Sequence, residues 1–249
     1  MDISKKKFLE EKARQLRLKT LDLALEQGEA HLGGSFSGIE ILISLYDFVL
    51  KPEDKFILSK GHACLPWYVL LQEKGYNPKV QTHPDIDEKN GIYATTGSLG
   101  HGLPIGIGRA MAMKKLGKPG RIYVLISDGE CQEGTTWESL LIASHHKLDN
   151  LTAIVDRNYI QALDFTEKVL ALGKLEDKFK IFGWHASTIN GHSFEELIPA
   201  LKKVIYEKPV IVVANTTKGK GVSYMENNPE WHGRKVNYER IKPAYGELK

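Results

Sequence analysis

The stretch RIYVLISDGECQEG, residues 121–134, decides how we interpret the fold of this chain. Its first part, Arg121–Ile126, is an apolar run of the kind that forms a buried strand, and its second part leads into a helical stretch near 134–147. Further strand candidates follow at Leu151–Val155, Ala186–Ile189 and Val210–Ala214, and helical stretches lie near 174–182 and 193–206. This alternation predicts an α/β fold in which helices flank a doubly wound, mostly parallel sheet.

The region before that stretch predicts two helices. Apolar residues recur at helical spacing from Ser4 to Gln27, and Gly28 ends the pattern. A loop containing Gly33 and Gly34 follows, and Ser35 and Ser37 after it are candidate N-caps of a second helix that runs to Leu50.

The remaining segments complete a single predicted domain over residues 1–249. Phe56-Ile57-Leu58 is a short candidate for a buried strand. Residues 76–103 carry turn formers and little periodicity, and an irregular stretch of this length is usually functional or mobile. From Arg234 onward, residues 234–249 predict a surface tail that docks on a partner.

Composition excludes several classes of protein. The chain has 249 residues, of which 42% are hydrophobic and 26% charged, as is usual for a soluble globular protein. Its formal net charge of +3 is too small to indicate a nucleic-acid partner. The two cysteines form no CxxC motif, and neither a signal peptide nor a membrane-spanning run is visible. We therefore expect a cytoplasmic protein without nucleic-acid or membrane partners.

Two polar side chains follow strand candidates and predict a metal site. Asp128 comes directly after one apolar run, and Asn158 comes just after the next. Ligands of parallel sheets collect outside the carboxyl ends of the strands, so both side chains can reach one edge. Their oxygens suit Mg²⁺ or Ca²⁺, with substrate phosphates completing the coordination. Either motif alone is equally compatible with an acidic turn or a turn asparagine.

These residues resemble the motif of thiamin-diphosphate enzymes, in which Gly-Asp-Gly is followed by an asparagine about thirty positions later. Ser127 replaces the first glycine here. The flanking motifs resemble the transketolase family in particular: Leu58-Ser59-Lys60-Gly61-His62-Ala63, Thr95-Thr96-Gly97-Ser98-Leu99-Gly100-His101-Gly102, Ser127-Asp128-Gly129-Glu130-Cys131-Gln132-Glu133-Gly134, Thr217-Lys218-Gly219-Lys220-Gly221 and Trp231-His232-Gly233. They occur in the family's order and, with His31, span nearly the whole chain.

The resemblance implies thiamin diphosphate and Mg²⁺ (or Ca²⁺) as cofactors, ketol transfer between sugar phosphates as the activity, and a role for each matched residue. The metal would be held by Asp128, Asn158 and the backbone carbonyl of Ile160. The cofactor would be bound by His62, Gly97, Ser98, Leu99, Gly129, Glu130, Lys218 and His232. The catalytic residues that face the thiazolium and the substrate hydroxyls would be His31, His83 and His232. His192, within Asn190-Gly191-His192, is interpreted as structural.

The resemblance also implies a partner chain. Full transketolases carry a pyrimidine domain, whose glutamate protonates the aminopyrimidine ring, and a further C-terminal domain, and this sequence contains neither. We expect a separate C-terminal transketolase subunit to supply them, in an α2β2 heterotetramer with the cofactor between subunits.

Three alternatives remain open at this point. The chain is also compatible with a subunit of another thiamin-diphosphate enzyme, such as a deoxyxylulose-phosphate synthase or a 2-oxoacid decarboxylase. The glycines at 100, 102 and 106 are a weak match to a nicotinamide-binding fingerprint. A non-catalytic regulatory partner that has kept the fold is the third alternative.

Overall fold

The computed structural model describes residues 1–249, which form ten α-helices and seven strands. The helices are α1 Ile3–Gln27, α2 Leu32–Ser37, α3 Ile39–Ser44, α4 Leu65–Glu73, α5 Gly102–Lys115, α6 Gly134–His145, α7 Thr166–Val169, α8 Leu175–Ile181, α9 Phe194–Leu201 and α10 Tyr238–Glu247. The strands are β1 Glu29–Ala30, β2 Lys55–Leu58, β3 Ile122–Ser127, β4 Leu151–Arg157, β5 His185–Asn190, β6 Val210–Asn215 and β7 Arg234–Lys235. None of the helices combines the length and the apolar character needed to cross a lipid bilayer.

The main sheet is parallel throughout and has the strand order β2-β3-β4-β6-β5. Each predicted strand is present, with ends that differ from the prediction by one or two residues. In the register of β3 with β4, Ser127 is paired with Asp156, so the two strands end side by side. The predicted α/β fold with a parallel sheet flanked by helices is confirmed.

Alternating side chains of the strands belong to two hydrophobic cores, one on each face of the sheet. Leu125 and Val212 belong to the larger core, which α1, α3, α4, α9 and α10 complete. Val124 and Val213, their neighbours in sequence, belong to the smaller core with α5, α6 and α8. Because successive residues of a strand point to opposite faces, apolar runs without polar alternation are what a sheet covered on both sides requires.

The second helical region begins earlier than the sequence predicts. Helix α2 starts at Leu32, and Ser35 and Ser37 lie within it instead of capping it. Gly33 and Gly34, predicted in a loop, lie within α2 and permit close packing: a Cβ placed on Gly33 would lie 2.6 Å from the carbonyl oxygen of Trp231. The N-cap prediction for the two serines is therefore wrong.

Residues 234–249 are packed on the domain, which corrects the prediction of a surface tail. Strand β7 pairs antiparallel with β1, joining Glu29 to Lys235. Helix α10 follows, and its Ile241 and Ala244 are fully buried in the larger core. The segment is thus an integral part of the domain.

Candidate functional site

The carboxyl ends of β3 and β4 bring the predicted metal ligands together. Asp128 follows β3, and its carboxylate accepts the backbone N–H of Tyr159 at 2.7 Å. Tyr159 lies between Asn158 and Ile160, and the amide oxygen of Asn158 accepts the N–H of Ile160 at 3.2 Å. Tyr159 has a φ of 64°, a left-handed conformation that is strained for a bulky residue and that is often found at functional sites.

Asp128 is a buried carboxylate without a cationic partner in the chain. Its exposed fraction is 1%, and it accepts hydrogen bonds from backbone N–H groups and from the hydroxyl of Thr166. Burial, reinforced by the nearby carboxylate of Asp156, raises the pKa of Asp128 to about 6. A cation bound to this carboxylate would stabilise its ionised form and so oppose the rise in its pKa.

Lys218 carries the opposite charge to Asp128: its ammonium is buried and forms no salt bridge with a carboxylate. It lies in the loop after β6 and is 1% exposed. Its Nζ donates to the carbonyl oxygen of Ile160 at 3.0 Å and lies 2.9 Å from Nδ1 of His232. Burial and the charge of Lys60 lower the pKa of Lys218 to about 7. An anion at this position would stabilise the charged form.

Four predicted site histidines form one cluster. The ring of His31 lies with its centroid 5.3 Å from His62, 5.8 Å from His83 and 5.6 Å from His232. Burial lowers the pKa of His31 to about 4 and that of His232 to about 3, so these imidazoles are neutral at pH 7. Nδ1 of His31 is buried and has no hydrogen-bond partner within the chain, which leaves it free for a ligand.

The irregular segment 76–103 contributes His83 and the turn at Gly97 to this cluster. Gly97 has a φ of 150°, and a Cβ there would lie 2.8 Å from the ring of His83, so only glycine lets the ring approach. Ser98 is exposed and Leu99 half-buried, and both are therefore accessible to a bound molecule. Gly129 has room as well, since a Cβ there would meet its nearest neighbour at 3.6 Å.

Glu130 lies in this region, but its carboxylate faces the protein interior. It accepts the N–H groups of Ser127 and Gly100, at 2.8 and 3.0 Å, and the hydroxyl of Ser59. With 0% exposure, it joins three separate segments of the site. The side chain of Glu130 thus connects the loops that carry the predicted site residues, and its contact with a cofactor stays a prediction.

A buried ion pair beneath the cluster was not predicted from the sequence. Lys60 forms a salt bridge with Asp156, and the hydroxyls of Ser37 and Thr216 donate to the same carboxylate. Lys60 also donates to the carbonyl of Gly34 at 2.8 Å. The position of Lys60 between the motif residues Ser59 and His62 was the only available hint, because the partners are distant in sequence.

The arrangement fits a divalent metal and a diphosphate. No group of three or more His, Cys, Asp or Glu side chains is arranged to hold a metal ion. A metal here would depend on the carboxylate of Asp128, the amide oxygen of Asn158 and the carbonyl of Ile160, which are hard oxygen donors of the type that Mg²⁺ and Ca²⁺ prefer. Lys218, in contact with the same carbonyl, would face the phosphates of the ligand.

The glycine-rich stretch does not offer a nicotinamide site. A Cβ on Gly106 would lie 2.5 Å from Cγ2 of Val124, and one on Gly102 would collide with Ser59. These glycines bring α5 close to the sheet, and their surfaces are covered by protein.

Comparison with known proteins agrees with the geometry. Residues 10–247 match the family described as transketolase, thiamine diphosphate binding domain. The chain is 38% identical to one of the subunits of the apulose-4-phosphate transketolase of Actinobacillus succinogenes, covering 97% of this chain and 96% of that protein. It is 36% identical to 6-deoxy-6-sulfo-D-fructose transketolase subunit SqwG of a Clostridium species (strain MSTE9), covering 96% of each.

The fold is also that of solved transketolases. The transketolase of Leishmania mexicana superposes with a TM-score of 0.89 at 26% identity. The match covers 96% of this chain and 41% of the Leishmania chain. This chain therefore corresponds to about two-fifths of such a protein.

Proposed function

Because this chain belongs to the transketolase family, we propose that it is the subunit that holds the diphosphate of thiamin diphosphate in a two-subunit transketolase. The enzyme transfers a two-carbon ketol unit between sugar phosphates. The relatives that this chain covers almost end to end are themselves named as subunits, which supports a division of the enzyme between two chains.

One observation carries the assignment of the site. Two buried charged groups that form no salt bridge meet the same turn: the carboxylate of Asp128 accepts the N–H of Tyr159, and the ammonium of Lys218 donates to the carbonyl of Ile160. Each is costly to bury in its charged form when alone. A divalent metal bound to a diphosphate supplies the missing charge to both. We propose Mg²⁺, with Ca²⁺ as a substitute of the same donor preference, held by Asp128, Asn158 and Ile160.

The four histidines of the cluster differ in burial, and we propose different roles for them. His62 is the buried member of the cluster and is proposed to donate to the diphosphate. His31, His83 and His232 are half-buried around it and are proposed to face the thiazolium and the substrate hydroxyls. When bound, the cofactor supplies the nucleophilic carbon that carries the two-carbon unit. Neutral imidazoles can both donate and accept protons at the hydroxyl groups of a sugar.

The partner is proposed to be a C-terminal transketolase subunit that supplies the pyrimidine domain and its glutamate, in an α2β2 assembly. Apolar side chains are exposed on α6 and on the segment after β4: Leu141 at 58%, Ile142 at 45%, Leu163 at 79% and Leu170 at 59%. Exposed apolar surface of this kind suits a protein interface. Both cysteines are free, which suits the cytoplasm.

The partner requirement is tested by an activity assay on separately purified chains. With thiamin diphosphate, Mg²⁺, a ketose donor and an aldose-phosphate acceptor, we expect no product from this chain alone and turnover after the C-terminal subunit is added. Apulose 4-phosphate, 6-deoxy-6-sulfo-D-fructose and a simple ketose phosphate should be compared as donors, because relatives are named for the first two. Full turnover by the pure single chain would contradict the proposal.

A further inference from the structure

The loop that carries Lys218 is held at its beginning by a half-buried histidine, His192. We define the Lys218 loop as residues Thr217–Gly221, between β6 and the last helical segments. Nε2 of His192 accepts the backbone N–H of Thr217 at 2.8 Å. Nδ1 of the same ring lies 2.9 Å from the carboxylate of Glu40, on α3. The residue directly before Lys218 is thereby connected to the helical layer behind the sheet.

The same carboxylate holds the other end of the loop through a second side chain. Glu40 accepts a hydrogen bond from the Arg17 guanidinium at 2.7 Å. Nε of Arg17 donates to the carbonyl of Lys220, also at 2.7 Å. Arg17 and Glu40 are 5% and 6% exposed, so water does not compete for these contacts. Glu40 is therefore connected to both ends of the Lys218 loop, through His192 and through Arg17.

The contacts also fix the tautomer of His192. A nitrogen that accepts an N–H carries no proton, so Nε2 is unprotonated and Nδ1 must carry the hydrogen that it donates to Glu40. Burial alone would raise the pKa of Glu40, but Arg17 and His192 outweigh it and hold that pKa below its usual value. An ionised Glu40 accepts from both partners at once.

The loop makes further contacts: the carbonyl of Lys218 accepts the N–H of Asn227, and the N–H of Gly221 donates to the carboxylate of Glu226, both at 2.9 Å. It contains no helix or strand, and Gly219 and Gly221 adopt left-handed φ values of 75° and 94°. Within it, Gly219 donates its N–H to the carbonyl of Gly33 at 2.9 Å. Burying an ammonium and an anion together removes both from water, which costs free energy. The pair is therefore favourable only when the ammonium of Lys218 is well aligned with the anion.

We propose that Arg17, Glu40 and His192 are positioning residues that aim Lys218 at the diphosphate site by fixing both ends of its loop. This inference rests on the proposed function of the site and assigns roles to three residues that have no contact with the ligand themselves. His192, which the sequence indicates as structural, thereby acquires a specific role, because its ring holds the amide of Thr217.

The first test is spectroscopic and needs no cofactor. In the chain labelled with 15N-histidine, the ring nitrogens of His192 should show the Nδ1–H tautomer. Glu40→Gln keeps the volume of the side chain, but its amide cannot accept from Arg17 and His192 together. It should shift the His192 ring signals away from this tautomer. An Nε2–H tautomer in the unmodified chain would overturn the proposal.

The second test is a double-mutant cycle on the enzyme assembled with its C-terminal subunit, with thiamin diphosphate affinity in Mg²⁺ measured by calorimetry. His192→Phe should weaken binding by about tenfold or more, as is usual for residues behind a ligand-contacting group. His192→Gln, which can donate to Glu40 and accept from Thr217, should restore most of the affinity. In a Lys218→Ala background, His192→Phe should have almost no further effect.

Two control variants test whether the loss of affinity is specific to His192 and Glu40. His145→Phe and Glu10→Gln change the same residue types at exposed positions and should leave the affinity unchanged. Additive losses from His192→Phe and Lys218→Ala, or a His192→Gln variant as weak as His192→Phe, would overturn the positioning role while the proposed function stands. If His192→Phe does not fold, the same cycle is run with Glu40→Gln. Absence of Mg²⁺-dependent thiamin diphosphate binding by the unmodified enzyme would instead overturn the proposed function, and this inference with it.

Discussion

Two aspartates show how single residues set the electrostatics of this site. Asp128 and Asp156 are both almost completely buried, and they lie near the carboxyl ends of the adjacent strands β3 and β4. Burial raises the pKa of Asp128 to about 6. At Asp156 burial acts in the same direction, but the ammonium of Lys60 outweighs it and the pKa is lowered. One carboxylate is thus already neutralised within the chain, and the other is available to an external cation.

We predict that Asp128→Asn abolishes most of the cofactor affinity without unfolding the protein. Because a raised carboxylate pKa means that ionisation is unfavourable in the folded chain, removing this charge above pH 6 should maintain or increase stability. Thiamin diphosphate affinity in Mg²⁺, measured by calorimetry on the assembled enzyme, should fall by more than about 100-fold, beyond the usual effect of residues that only support a metal ligand.

The control for this change is Asp177→Asn, an exposed acid on α8. It should alter neither the affinity nor the thermal midpoint. An Asp128→Asn variant that binds the cofactor as tightly as the unmodified enzyme would show that the metal is held elsewhere.

Among the helices and strands, the sequence predicted those that a local pattern of residues identifies. Apolar runs identified the strands of the parallel sheet, because a strand covered on both faces must be apolar throughout. The glycines at 33 and 34 misled the prediction, because their role is to admit the backbone of Trp231 and the ring of His62, contacts that no local pattern records. The spacing of Ile241, Ala244 and Leu248 was a usable helical signal within the segment interpreted as a tail.

The packing of α10 leads to a stability prediction. Ile241→Ala should lower the free energy of unfolding by about 2–5 kcal/mol, since it removes a fully buried side chain from the larger core. Denaturant unfolding of the chain would measure the loss. Lys242→Ala, exposed on the same helix, should change stability by less than about 0.5 kcal/mol. A negligible effect of Ile241→Ala would mean that residues 234–249 do behave as a tail.

For the molecule as a whole, the sequence predicted which residues cluster at the candidate site, but not the contacts that support them. Asp128 and Asn158 could be paired because parallel strands end at one edge and their spacing matches a known motif. The contacts of Lys60 with Asp156 and of Glu40 with His192 join residues far apart in sequence, and they depend on how helices pack behind the sheet. Those contacts could not be predicted without the tertiary arrangement.

A site shared between subunits predicts that ligands strengthen assembly. Thiamin diphosphate with Mg²⁺ should tighten association of this chain with the proposed C-terminal subunit, since a ligand at 100 times its Kd stabilises the state that binds it by about 2.7 kcal/mol. Sedimentation at several protein concentrations would measure the change in dissociation constant. The gain should disappear with Asp128→Asn, and an unchanged constant for the unmodified pair would exclude a shared site.

The pairing of β1 with β7 has a consequence for biosynthesis. Glu29 and Lys235 are far apart in the sequence, and His31 and His232, which lie close to these two strands in sequence, meet only when that small sheet closes. Closing contacts between such distant segments is slow compared with forming local structure. During translation, therefore, the ribosome must release the chain through Lys235 before the histidine cluster exists. Cofactor binding at this cluster would then follow the closure of the small sheet.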